Sequence, residues 1–321
     1  MIADGRVSLP RGFPAATVAR AYFALQALAG AAWWVGVFTV PVVRTTTLGE
    51  LDPVAVAVLD VPLFVVASAL AAVLPLRAAR WAAGTETAWT LAVTVLLATY
   101  ATVTTLAGWG VVLMIAASVA SVGAVFLLVL GRVPTEWLLV GPFAFRRARP
   151  GRSPLAHVAA TAAQIFVFWG LFLVVLPVII RALEERWRLV LPLPAAVDVV
   201  GIVVVVAASA LGLWSAAAMT VEGDGTPLPS AMPNRLVVAG PYRFVRNPMA
   251  LAGIAQGVGV GLLMSSWMVV VYALAGSLVW NYAIRPHEEI DLVRAFGDEY
   301  RAYARAVRCW IPRLRPVGSG R

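Results

Sequence analysis

The sequence contains no lysine, one cysteine and two histidines, and each shortage closes off a kind of chemistry. With Cys309 alone, no internal disulfide can form and no cysteine-based metal site can be built. His157 and His287 stand far apart in the chain, and neither lies in a metal-ligand spacing, so no metal is expected. Charge is scarce as well: 13% of the 321 residues are charged and 61% are hydrophobic. Soluble domains are nearer about half apolar and about a quarter charged, so this is the composition of an integral membrane protein. The net charge of +9 is carried wholly by arginine. Those arginines flank apolar runs instead of forming one basic domain, which points to anionic lipid headgroups as partners and away from nucleic acid.

A helical span needs about 20 mostly apolar residues. The runs Ala21 to Val43 and Pro53 to Leu76 supply two. Thr87 to Leu130 is twice one span, and Gly108-Trp109-Gly110 divides it. His157 to Ile180 and Ala195 to Met219 are the fifth and sixth. Met249 to Met264 is short, and Ser265-Ser266-Trp267 turns it into a last span, Met268 to Ile284, as a tight hairpin. The expected fold is all-α, a polytopic transmembrane bundle of about eight spans with a cytoplasmic C-terminal amphipathic helix.

The arginines agree with an even number of spans. With the N-terminus in the cytoplasm, only Arg44, Arg181, Arg186 and Arg188 fall on the outer side. Both termini are then expected to be cytoplasmic. The first apolar run is too long for a signal-peptide core and is expected to remain as a span. The final Gly318-Ser319-Gly320-Arg321 carries no lipidation signal. By composition the chain divides into a region of about six spans, residues 1–220, and a region 221–321 that holds the hairpin and the polar tail. Gly141-Pro142-Phe143 faintly echoes Gly240-Pro241-Tyr242, and Arg181 through Glu185 echoes Arg285 through Glu289, a weak hint of duplication.

From Gly223 the text of the sequence changes. A polar loop, Gly223-Asp224-Gly225-Thr226-Pro227, leads to Gly240-Pro241-Tyr242-Arg243-Phe244-Val245-Arg246-Asn247-Pro248-Met249. Asn247 followed by Pro248 is a helix start: Asn accepts orphan amide hydrogens as N-cap, and Pro suits the first helical position. The positive end of that helix, beside Arg243 and Arg246, offers an anion site, either for a ligand or for lipid phosphates. Gly253, Gly257 and Gly261 recur every four residues and make one smooth face for close helix packing, with Ala273 and Gly276 as its expected partners.

After the last span, Arg285-Pro286-His287-Glu288-Glu289 brings adjacent carboxylates to the membrane edge, with Arg285 four residues before Glu289 as the natural partner. Leu292, Phe296, Tyr300, Tyr303 and Val307 follow at helical spacing, an amphipathic helix lying on the bundle or the membrane. Gly297-Asp298 is expected to break it.

The stretch from Gly223 to Pro312 resembles the superfamily of isoprenylcysteine carboxyl methyltransferases and phospholipid methyltransferases. The resemblance rests on Gly240-Pro241-Tyr242-Arg243 with Arg246-Asn247-Pro248, then Arg285 with Glu288-Glu289, Leu292, Phe296-Gly297, Tyr300, Tyr303 and Pro312. It covers under a third of the chain. It implies an integral membrane enzyme, dependent on S-adenosylmethionine, that methylates a lipid-like or isoprenoid acceptor at the cytoplasmic face. Together with the arginine bias, it implies a bacterial plasma membrane as the home. Two residues depart from the family pattern, which often has His at the position of Asn247 and Tyr at that of Ala250.

The resemblance implies a catalytic set of Arg246, Asn247 and Glu289. It implies cofactor contacts from Tyr242, Arg243, Arg246, Pro248, Met249, Gly253, Arg285, Glu288, Glu289, Tyr300 and Tyr303. Arg246 and the helix N-terminus suit the cofactor's carboxylate, the glutamates its ammonium or ribose, and the tyrosines its adenine or sulfonium. An amine or phenol acceptor needs a base, with His287 or a glutamate as the nearby candidates.

Elsewhere, Asp60 stands inside the second span, where a carboxylate is by default a functional-site candidate, with snorkelling or an internal partner as the readings beside it. It is the only ionisable residue expected well inside a span. Asp198 reads as a helix-start acid, Cys309 as a packed thiol, and Trp187 and Trp267 as interface anchors. Two other functions stay open: an NADPH-dependent membrane reductase of a steroid or polyprenol, and a non-enzymatic lipid-binding or transport protein. The oligomeric state is not legible.

Overall fold

The computed structural model describes residues 14–139, 154–194, 196–223 and 234–318. The echo at Gly141-Pro142-Phe143, the loop Asp224 to Pro227 and the side chain of His157 lie outside the described residues. Every regular element among the described residues is helical. Seven helices are long and apolar enough to cross a membrane, and an eighth apolar helix, Pro248–Leu263, is shorter. The chain is an all-α integral membrane protein. Its residues gather into two compact units. One is residues 7–134 with Leu183–Leu189; the other is Thr135–Ala182 with Val190–Arg321. The fifth and sixth spans therefore pack in the same unit as the C-terminal segment.

The N-terminal unit is built from α1 (Ala15–Thr39), the short α2 (Pro41–Thr47), α3 (Pro53–Val73), α4 (Leu76–Thr104) and α5 (Gly108–Leu130). Small residues make its core: Ala19, Ala71, Ala79 and Ala83 are fully buried around Phe23. The turn between α4 and α5 lies at Thr105 and Ala107, both with positive φ, one step before the expected glycines. Gly108 and Gly110 serve packing instead, since a Cβ on either would collide with the backbone carbonyl of Trp187 or Thr47. Trp187 is no interface anchor: it is buried, and its Nε1 donates to Thr102 Oγ1 at 3.0 Å.

Helix α4 begins eleven residues before the expected span, and this carries Glu86 into the bundle. Glu86 is fully buried and accepts from Gln26, from Thr90 Oγ1 at 2.5 Å and from Thr87 Oγ1 at 3.1 Å. Asp60 is thus not the only carboxylate inside a span. Its own partners are internal: Trp89 Nε1 donates at 2.8 Å and Trp34 Nε1 at 2.9 Å.

The second unit comprises α6 (Pro154–Trp169), α7 (Leu176–Arg186, of which Leu183 onward packs with the first unit), α8 (Ala196–Gly223), α9 (Pro248–Leu263), α10 (Trp267–Val279) and α11 (Arg285–Ala306). Asp198 sits in the first turn of α8, as an acid at a helix start should. Wide π-helical turns, Gly170–Val175 and Trp280–Ile284, join α6 to α7 and α10 to α11. Each ends just before a proline, Pro177 or Pro286. A proline inside a helix lacks the N–H and crowds the carbonyl four residues back, and a local widening relieves that crowding.

Tight packing of α9 on its neighbours depends on glycine. A Cβ at Gly257 would stand 2.9 Å from Ala273 Cβ, and one at Gly261 would stand 2.8 Å from the backbone nitrogen of Val270. The hairpin turn Ser265-Ser266 leads into α10, whose start is capped by Ser266 Oγ accepting from Val269 N at 3.1 Å.

Candidate functional site

The loop before α9 and the chain after α11 are tied together by backbone bonds. Arg246 N donates to Arg308 O at 3.0 Å, Arg313 N to Phe244 O at 3.0 Å, and Val317 N to Arg243 O at 3.1 Å. The side chains of Tyr300, Tyr303 and Val307 are buried here, against Leu236, Val238, Leu292 and Phe296. The amphipathic helix therefore lies on protein. It is bent at Gly297, whose φ of 54° and ψ of −125° leave the helical region, as the Gly-Asp pair foretold. Tyr303 Oη donates to Tyr242 O at 2.7 Å and locks α11 to the loop.

Above this floor lies a cavity of about 750 Å³, within the roughly 300–1,000 Å³ usual for small-molecule sites. Its polar end is an arginine–carboxylate chain. Glu289 Oε1 stands 3.1 Å from Arg246 Nη1 and 3.2 Å from Arg285 Nη1, and Arg246 Nη1 also donates to Tyr300 Oη at 3.4 Å. Arg246 and Glu289 are 16% and 13% exposed. Asn247 caps α9, its Oδ1 accepting from Ala250 N at 3.3 Å. The apolar end is walled by Phe168, Trp169 and Phe172, by Tyr272 and Ala273, and by the smooth face at Gly253 and Gly276. No atom stands within 4 Å of where a Cβ would fall at either glycine, so their missing side chains widen the cavity.

Three buried polar atoms on this one cavity have no hydrogen-bond partner among the described residues: Arg246 Nε, Trp280 Nε1 and Gln164 Oε1. Orphaned buried groups cost about 1–3 kcal/mol each and persist where a ligand answers them. A ligand satisfying all three presents acceptors to Arg246 and Trp280 and a donor to Gln164.

Of the residues expected from sequence, Tyr242, Arg246, Asn247, Met249, Gly253, Arg285, Glu288, Glu289, Tyr300 and Tyr303 all line the cavity. Arg243 and Pro248 do not. Arg243 Nε is held by Val317 O at 2.8 Å, and Pro248 is buried at the start of α9. His287 is turned away, its Nε2 3.0 Å from Thr135 Oγ1, which leaves the glutamates as the bases in the cavity. Cys309 borders the cavity as a buried thiol, and burial pushes its pKa up despite Arg285 and Arg246 nearby. Gln164 and Trp280 were missed; the available signal was a glutamine inside an apolar span.

Electrostatics sharpen the picture. Glu288 is pushed up to about 7, first by burial and then by the charge of Glu289, with Arg285 opposing. Burial also raises the phenols of Tyr242, Tyr300 and Tyr303 above their ordinary range, so all three are neutral donors at physiological pH.

Fold and site together define an integral membrane helical bundle with a cavity that is charged at one end and apolar at the other. Residues 197–299 match the family model described as phospholipid methyltransferase, so the C-terminal third is similar to a membrane methyltransferase. No curated protein and no solved structure matches the chain.

Proposed function

We propose that the chain is a membrane methyltransferase that uses S-adenosylmethionine to methylate a lipid-like or isoprenoid acceptor at the cytoplasmic membrane face, in a bacterial plasma membrane with both termini inside. The observation that carries this reading is the set of three orphaned polar atoms, Arg246 Nε foremost, on a cavity whose Arg246, Arg285 and Glu289 lie in the matched segment. The donor set suits the cofactor. Arg246 Nε and the N-terminus of α9 would hold its carboxylate, Glu288 and Glu289 its ammonium or ribose, and Tyr242, Tyr300 and Tyr303 its aromatic base. When bound, that group supplies a methyl activated on a sulfonium.

The work left to the protein is alignment and exclusion of water, and good alignment supplies about 7–11 kcal/mol. Arg285 and Arg246 hold Glu289 from two sides, which fixes its carboxylate. Asn247 positions α9 through its cap and has no basic nitrogen. The apolar end between Phe168, Phe172 and Tyr272 takes the acceptor's hydrocarbon. For an acceptor with a proton to lose, Glu288 is the base, its raised pKa matched to neutral pH. Separate calorimetric titrations with S-adenosylmethionine and NADPH, with Arg246→Ala as control, test the reading. Saturable binding of the methyl donor, lost in the variant, supports it. Binding of NADPH alone turns the reading to a reductase.

A further inference from the structure

The N-terminal unit carries a second cavity, of about 850 Å³ and open on one side past Leu25, Leu59 and Leu96, that the methyltransferase reading does not use. Its wall is almost wholly apolar, yet Asp60, 6% exposed, borders it. Both carboxylate oxygens of Asp60 are held by indole N–H groups, Trp89 at 2.8 Å and Trp34 at 2.9 Å. Indoles are neutral donors; they orient a carboxylate without cancelling its charge.

Among the described residues no arginine lines the cavity, and Asp60 has no ion-pair partner. Arg20 of this unit donates to the carbonyls of Ala72 and Leu74, and Arg80 to that of Leu128. Gln26, on the cavity wall, is backed by Glu86, a second buried acid with no cationic partner among the described residues. Five aromatic side chains, Tyr22, Trp33, Phe64, Trp89 and Tyr100, line the same space. Ring faces attract cations, most strongly where water is excluded. An ionisable group facing an internal space within a span marks a functional site.

We propose that this cavity binds a lipophilic organic cation, its charge beside Asp60 and the aromatic rings and its apolar body filling the remaining volume. The inference is independent of the methyl-transfer reading, because every residue it uses lies in the other unit.

The probe is tetraphenylphosphonium, with tetraphenylborate as a control of the same shape and opposite charge, titrated against the full chain in neutral-lipid nanodiscs. The expected result is saturable binding of the phosphonium, weakened at least tenfold in Asp60→Asn, and no saturable binding of the borate. Comparable binding of both ions overturns the proposal, as does phosphonium binding that is absent from the parent or unchanged in Asp60→Asn. Should that variant fail to fold in a thermal scan, Ala116→Trp decides. It fills the cavity from an exposed lining position and leaves Asp60 in place. Lost binding there supports the assignment, and retained binding overturns it.

Discussion

Arg246, just before α9, and Glu289, on α11, meet at 3.1 Å, and the arginine still keeps its Nε buried and unanswered. The pair joins the two ends of the α9–α10 hairpin at the polar end of one cavity. Glu289 is shared with Arg285, so removing it strands two cations at once. We expect Glu289→Ala to abolish binding of S-adenosylmethionine in calorimetry. Unchanged affinity in that variant removes Glu289 from the site.

Glu288 gives a pH signature with a definite sign. Its pKa rises from 4.5 to about 7 on folding, so the native state binds its proton more tightly than the unfolded chain. Stability attributable to this group is therefore highest at acid pH and falls as pH rises from about 4.5 through about 7. The full shift corresponds to roughly 3 kcal/mol before any discount for solvent screening. Thermal midpoints in detergent should be higher near pH 5.5 than near pH 8, with the difference shrinking in Glu288→Gln. Equal slopes in parent and variant would assign the effect elsewhere.

The cap at Asn247 separates a structural from a chemical role. Losing an N-cap side chain costs about 1 kcal/mol, and Ser restores most of it. Asn247→Ala should lower the thermal midpoint and Asn247→Ser should recover it. A variant that recovers stability but not cofactor affinity would give Asn247 a direct contact.

Glycines on one face of α9 should respond oppositely. A methyl at Gly261 meets the Val270 backbone, whereas one at Gly253 meets open cavity. Gly261→Ala is expected to destabilise by about 1–3 kcal/mol, the usual cost of overpacking. Gly253→Ala should leave stability unchanged, and Gly253→Leu should block the acceptor end while folding normally. Parallel thermal scans and methyl-transfer assays distinguish the two classes.

The apolar runs and the punctuation between them made the helical architecture legible, and Asn247-Pro248 placed the start of α9 to the residue. The early start of α4 was hidden, because a run is judged by its apolar residues and Glu86 interrupts it. Only the surrounding Gln26, Thr87, Thr90 and Ser121, drawn from three helices, make that carboxylate tolerable inside the bundle. In the same way Arg243 and Arg246 look equivalent in the loop. The path of the tail, invisible in local sequence, ties Arg243 to Val317 and leaves Arg246 facing the cavity. Gln164 lies far outside the segment that carries the family resemblance, so nothing nearby in the sequence drew attention to it.

Helix α9 has 16 residues, about 24 Å along its axis, while a bilayer's hydrocarbon layer is about 30 Å thick. A span that short draws the two leaflets together or leaves its ends below headgroup level. Arg246 and Asn247 sit at one of those ends, so the depth of the cavity's polar end follows the thickness of the bilayer. Bilayers of short-chain and long-chain lipid should then support turnover at different rates with identical protein. On the proposed function, membrane thickness becomes a control on methyl transfer that belongs to the lipid and to no residue in the chain.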